Sequence, residues 1–428
     1  MNRERTGDGE QPVHRDQPGQ KRSRGSSFSV PGYLFIWVTG WLWHVARWMA
    51  VFVSTFRINE LTGDPLLVQL VGSAFFAPMF FGGFLAGTIS DRFDRRTTVG
   101  RALGFLIPLS GLMGLVVIGD RGGLPLIYLF ILAVGVGNVI DMTSRRTLAF
   151  GLVGAGLLTN AAALESLALQ GGNMAGQVMG GAILETFNAG ALYLMIGVVY
   201  LVALSTFMVG NKRARAAAHE SIADPGPDRA ESSLRDDLFG AVRLLKTNER
   251  LRRFLVITVV MNFFYFAFIP LIPVFAERLG VGAFLTGVLG AASGLGTVTG
   301  ASLIAYFQPA RRGLIHIVGS LFAMVMLVTF ANLRSFPLAV IALYLAGVGA
   351  AGFGATQAAL VISLATESVR GRAMGALSMA IGAVPFGMFS LGLLARRTDP
   401  VMAVTISVSI GFVLLVGWQA LRPEIRAL

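Results

Sequence analysis

Long apolar runs recur along this chain, and only short polar segments separate most of them. A bilayer core about 30 Å thick is spanned by a helix of about 20 apolar residues. Inside it the backbone must satisfy its own hydrogen bonds, which a helix does. Measured against that length, the sequence divides into twelve candidate spans: 33–56, 66–89, 98–118, 124–144, 161–185, 190–210, 254–277, 283–306, 313–332, 336–364, 372–395 and 400–421. They fall six and six around a polar segment, 211–253. The expected fold is an all-α membrane protein of twelve transmembrane helices in two six-helix bundles. Composition agrees, with 54% hydrophobic and 14% charged residues, where soluble domains carry about 25% charged. A soluble enzyme, a disordered chain and a disulfide scaffold are excluded, the last by the absence of Cys.

The net charge of +12 acquires meaning only from its placement. Residues 1–32 read as a disordered basic tail, with no apolar run of the kind a signal peptide carries. The bundles are expected at 33–210 and 254–428, joined by a linker over 211–253. In that linker Leu234, Leu238, Val242 and Leu245 share one face of an amphipathic helix suited to the membrane surface. With the N-terminus inside, 28 of the 35 Lys and Arg lie in cytoplasmic segments and 6 in outer ones. That asymmetry is the positive-inside pattern and places both termini in the cytoplasm. It makes the basic charge a topology label rather than a nucleic-acid interface. The expected location is a bacterial inner membrane, and a monomer is expected.

Gly347, Gly349 and Gly352 form a GxGxxG pattern, but a dinucleotide site needs a strand before it and a helix after. Here the pattern lies inside an apolar span, so close helix packing is expected, as at Gly172, Gly176 and Gly180. No phosphate-binding loop, metal-ligand spacing or nucleophile triad occurs, so no cofactor, metal or enzymatic activity is expected.

The segment after span two reads Gly87-Thr-Ile-Ser-Asp91-Arg92-Phe-Asp94-Arg95-Arg96. It resembles the GxLxDRxGRR signature of the major facilitator superfamily, with Asp94 in place of the second glycine. Further segments run Leu61-Thr-Gly63-Asp64-Pro65-Leu66, Asp141-Met-Thr-Ser-Arg145, Leu158-Thr-Asn160-Ala-Ala-Ala-Leu164, Pro273-Val-Phe275-Ala-Glu277-Arg-Leu-Gly280 and Glu367-Ser-Val-Arg370-Gly-Arg372. Together they are similar to the drug:proton antiporter branch that includes macrolide-efflux and enterobactin-exporter-like proteins. The resemblance implies alternating access, the two bundles rocking about a central site. Asp91 and Arg145, expected on neighbouring cytoplasmic loops, make a candidate ion-pair gate with Arg370 or Arg372 nearby. Such a surface pair is worth about 0–1 kcal/mol, enough to bias two states.

Ionisable residues within spans are functional candidates by default. Arg47 lies three residues after His44, on the same face of span one, with no acid at its depth. Two readings fit it: an anion-attracting site, or a structural pair. Trp43 and Trp48 beside it suit stacking on a planar ligand or plain packing. Ser166, Gln170, Asn173 and Gln177 make a polar stripe on span five, facing a cavity or a neighbouring helix. Asn262, Tyr265 and Gln357 are further cavity candidates. Glu165, at the cavity edge, is the leading proton carrier and Asp141 the second. The functional expectation is proton-coupled efflux of a small organic molecule. An uptake symporter, a lipid flippase and a non-transporting sensor are its rivals.

Overall fold

The computed structural model describes residues 26–92, 94–121, 123–218, 243–365 and 369–421, and, within these, the side chains other than those of 81–92, 155, 218, 370 and 371. In the first half, α1 is Tyr33–Thr62, α2 Pro65–Arg92, α3 Arg95–Ile118, α4 Leu124–Ile140, α5 Arg146–Thr186 and α6 Ala189–Ala218. In the second, α7 is Glu249–Val260, α8 Ile272–Arg278, α9 Ala283–Phe307, α10 Arg312–Asn332, α11 Phe336–Leu364, α12 Arg370–Ile381, α13 Val384–Arg397 and α14 Pro400–Leu421. A π-helical turn, Asp141–Arg145, joins α4 to α5. A second, Met261–Tyr265, leads through a 3-10 turn at Phe266–Leu271 from α7 to α8. With α7–α8 and α12–α13 each forming one rod, twelve helical rods result. Among the described residues nine helices are long and apolar enough to cross a membrane, and α2 adds an apolar stretch at Pro65–Phe80. The chain folds as an all-α protein of twelve helical rods in two six-helix bundles.

Local chemistry explains the boundaries. Gly63 ends α1 with φ 58°, a left-handed conformation that glycine adopts without a Cβ clash. Asp94 begins α3 by accepting the Thr97 amide and hydroxyl at 3.0 and 2.8 Å. Those bonds, led by the hydroxyl, hold the Asp94 carboxyl below its ordinary pKa. The residue that departs from the signature pattern therefore has its own task, starting a helix.

Span four differs from the sequence expectation. No helix breaker follows residue 144, so the helix runs through the π turn and on to Gly154, where φ 67° and ψ 176° break it. Arg145 is consequently inside a rod, and not on a loop.

Each half has its own apolar core, the first around Trp43, Phe130, Tyr193 and Tyr200, the second around Phe254, Phe268 and Phe330. Large apolar side chains such as Leu115, Leu129 and Val413 point outward, the arrangement a lipid solvent favours. The GxGxxG glycines are packing residues, as expected. A Cβ on Gly347 would strike the Ser293 carbonyl of α9, and one on Gly349 or Gly352 would press on α10. In the linker, Leu234, Leu238 and Val242 lie outside the described residues, while 243–247 is helical and Leu245 packs on the second core.

The two halves meet mainly along α5 with α9 and α2 with α13. Among the described residues, every polar tie between them lies toward one end, which we call distal because the described chain begins and stops at the other. Asn59 donates to Glu277 at 2.6 Å and Arg396 pairs with Asp64 at 3.3 Å. The Phe284 amide donates to Glu185 at 2.7 Å. Gln69 donates to the Ala267 carbonyl at 2.9 Å, and Ser73 to that of Pro385 at 3.1 Å. Toward the terminus side α5 turns exposed, Ser166 included, as does Arg372 on α12. Among the described residues, the polar contacts that tie the halves together are thus gathered at the distal end.

Candidate functional site

The strongest charge cluster lies deep in the first half. Arg145 is 1% exposed and holds two carboxylates at once. Its Nε donates to Asp141 Oδ1 one turn back, and its second terminal nitrogen reaches Asp141 Oδ2 at 3.1 Å. Both terminal nitrogens also grip Glu165, at 2.8 and 3.0 Å. The π turn sets this up, because its wider register carries Asp141 and Arg145 together on an inward face. Gly40 of α1 gives the guanidinium its room, since a Cβ there would overlap it.

Two expectations change here. Arg145, proposed from sequence as half of a surface gate with Asp91, is buried and already committed to Asp141 and Glu165. Glu165 is not at the cavity edge: it is 3% exposed and turned into the bundle. The side chains of Gly87, Asp91, Arg92 and Arg370 lie outside the described residues. Arg95 is exposed and Arg96 half-buried, at the terminus side.

Arg47 stands two helical turns beyond Gly40 on α1. It donates to Asn138 Oδ1 on α4, one turn before Asp141. Its guanidinium carbon sits 5.4 Å from the Trp48 ring centre and 6.0 Å from that of Phe75. Among the described residues, no carboxylate lies within 4.0 Å of it, as the sequence led one to expect. His44, three residues earlier, parts company with it: its Cβ faces Gly172 of α5. Trp43 packs 5.4 Å from Tyr200 of α6.

The α5 stripe changes character along its length. Ser166 is exposed and Gln170 and Asn173 half-buried, whereas Gln177 is buried, donates to Asn173 at 2.6 Å and lies against Gly290 of α9. The helix contact thus applies to Gln177 at the distal end, while Ser166, Gln170 and Asn173 keep exposed or half-buried side chains toward the terminus side. A narrow cleft beyond it is lined by Trp48, Thr55, Gln177, Pro270 and Pro273. In the second half, Asn262 donates to the Thr258 carbonyl at 2.8 Å, and Gln357 to its hydroxyl at 3.3 Å. Tyr265 is buried and donates to the Ala346 carbonyl at 3.2 Å, so it braces α11 instead of lining a cavity.

Sequence reasoning missed Asn138, Asn59 and Glu185. Asn138 carried a signal, an amide one turn from Asp141 in an apolar helix. Asn59 and Glu185 carried none, because their partners are more than 90 residues away.

Two helical bundles, buried ionic groups and a cleft between them define a membrane transporter. The model of the Major Facilitator Superfamily matches residues 36–389, and the chain belongs to that family. Solved structures share the fold at low identity. A bacterial homolog of the human lysosomal transporter Spinster, inward-facing and unoccupied, has 16% identity and a TM-score of 0.68, with 94% of this chain and 97% of that one covered. The nucleoside transporter NupG has 13% identity and a TM-score of 0.66, over 91% and 98%. The peptide transporter POT in complex with sulfate has 13% identity and a TM-score of 0.72, over 95% and 99%. No curated protein matches the chain.

Proposed function

We propose that this transporter is a proton-coupled exporter of a small organic molecule, working by alternating access in a cytoplasmic membrane with both termini inside. The observation that carries the reading is the Asp141–Arg145–Glu165 cluster. Two carboxylates share one guanidinium, so one negative charge is left over in a buried place. A single proton neutralises it. Placed on Glu165, that proton replaces a bidentate ion pair with a weaker contact and loosens the terminus-side part of α5 from the π turn, on either side of the Gly154 break. Protonation is thereby linked to the segment that must move when the terminus-side opening closes. The substrate enters that opening and meets Ser166, Gln170 and Asn173 on one wall and the half-buried Gln357, held by the buried Thr258, on the other. The efflux direction is supported by the resemblance to drug:proton antiporters, which covers spans one to twelve.

The test is proton movement in vesicles reconstituted with purified protein and loaded with a pH-sensitive dye, using a panel of anionic, neutral and cationic fluorescent substrates. Substrate flux by the parent protein is expected to run against an imposed proton gradient, and Glu165→Gln to abolish that coupling while substrate binding persists. Gradient-driven transport at the parental rate in Glu165→Gln overturns the assignment. Substrate and proton moving in the same direction makes the protein a symporter.

A further inference from the structure

We propose that Arg47, with the tryptophans around it, is a binding site for an anionic group, specifically the carboxylate or phenolate of a planar transported molecule. The inference deepens the exporter reading and rests on it for the word transported.

The contrast with Arg145 carries the argument. Both guanidiniums are buried in the first half, Arg47 at 5% exposure and Arg145 at 1%. Arg145 has two carboxylates; Arg47 has the neutral amide oxygen of Asn138. A buried cation touched by no carboxylate, with Asp141 acting on it only from beyond ion-pair distance, is an unusual arrangement, because a desolvated charge is normally paired directly. The orphan groups around it sharpen the point. Within one stretch of α1, Trp43 Nε1, Arg47 Nε and Trp48 Nε1 are buried with no partner among the described residues. The Tyr200 hydroxyl, whose ring packs on Trp43, is a fourth. Indole and guanidinium nitrogens only donate. The site has more unpartnered donors than acceptors, and no carboxylate touches its cation, so an anion in contact satisfies both deficits together. Trp48 and Phe75 flank the guanidinium as apolar walls, which suits a flat organic anion better than a small hydrated one. Trp48 also lines the narrow cleft between the halves, so the ring covering Arg47 borders the seam along which the halves meet.

The test uses purified full-length protein in lipid nanodiscs at constant ionic strength, with benzoate, its neutral counterpart benzamide, and chloride as probes. Thermal midpoint and tryptophan fluorescence are read. Benzoate is expected to raise the midpoint and change the fluorescence in a saturable way, and benzamide to do neither. Asn138→Asp supplies the missing carboxylate from within the protein. It is expected to melt no lower than the parent and to bind benzoate at least about ten-fold more weakly, the worth of one charge-assisted bond. Arg47→Gln, which removes the unpaired charge, is expected to fold and to lose the benzoate response, and it serves as the test if the Asn138→Asp variant does not fold. Equal responses to benzoate and benzamide, or a full benzoate response in both variants, overturn the site. A response to chloride with none to benzoate overturns the substrate role and leaves a resident inorganic counter-ion. Binding at equilibrium needs no proton gradient, so this result and that of Glu165→Gln fail separately.

Discussion

Arg145 is locked by Asp141 and Glu165, and removing it leaves two carboxylates facing each other without a cation. Arg145→Met is therefore expected to destabilise the protein by about 3–5 kcal/mol, the usual loss when one member of a buried pair is deleted. The measurement is the thermal midpoint in detergent. Replacing all three residues together, as Asp141→Asn, Arg145→Met and Glu165→Gln, is expected to recover most of that loss, since no buried charge is then left alone. A triple variant as unstable as the single one contradicts the account. Arg47 follows the opposite rule, because its charge has no carboxylate to abandon.

Helices here are positioned by small residues as much as by apolar ones. α11 lies between α9 and α10, touching the first through Gly347 and the second through Gly349 and Gly352. Gly347→Leu puts a branched side chain against the Ser293 carbonyl, and the expected loss is about 1–3 kcal/mol from overpacking. A lower thermal midpoint with unchanged helix content by circular dichroism is the readout. The sequence displayed these contacts well, since a glycine within an apolar run has few other uses. The twelve rods were legible too, because hydrophobic length is a property of each segment alone. Span four was not, since Arg145 and Arg146 look like a helix end but Arg145 finds its counter-charges inside the bundle. Tyr265 misled for the same reason: a polar atom in a span signals a cavity or a bond to a neighbouring backbone, and only the fold tells which. The triad itself was half visible. Asp141 and Arg145 are one turn apart, whereas Glu165 joins them only because the Gly154 break lets the chain double back.

At the scale of the whole molecule, the polar ties between the halves are gathered at the distal end. The chain has no cysteine, so a pair introduced across that seam reports without background. Asn59→Cys with Glu277→Cys, bridged by a short reducible bis-thiosulfonate, is expected to stop transport and to recover it on reduction. Full transport by the bridged protein contradicts a seam that must part in each cycle. An anionic cargo also has a consequence for direction. In a cell with a negative interior, each exported negative charge gains about 2.3 kcal/mol per 100 mV, so the membrane potential itself favours outward movement. Two of the segments similar to antiporters, those containing Asp64 and Glu277, meet at this seam. Glu185 gives the seam a further property. It comes from the first half, yet it accepts the Phe284 amide in the first turn of α9, a helix of the second half whose own N-cap, Gly282, has no side chain to offer. Parting the seam frays that turn, at a loss of about 0.5–2 kcal/mol, equivalent to a roughly two- to thirty-fold shift in population. The resting preference of this carrier is thus written partly in the coil-to-helix equilibrium of a single turn, and whatever ligand reverses the carrier must outweigh the melting of that turn.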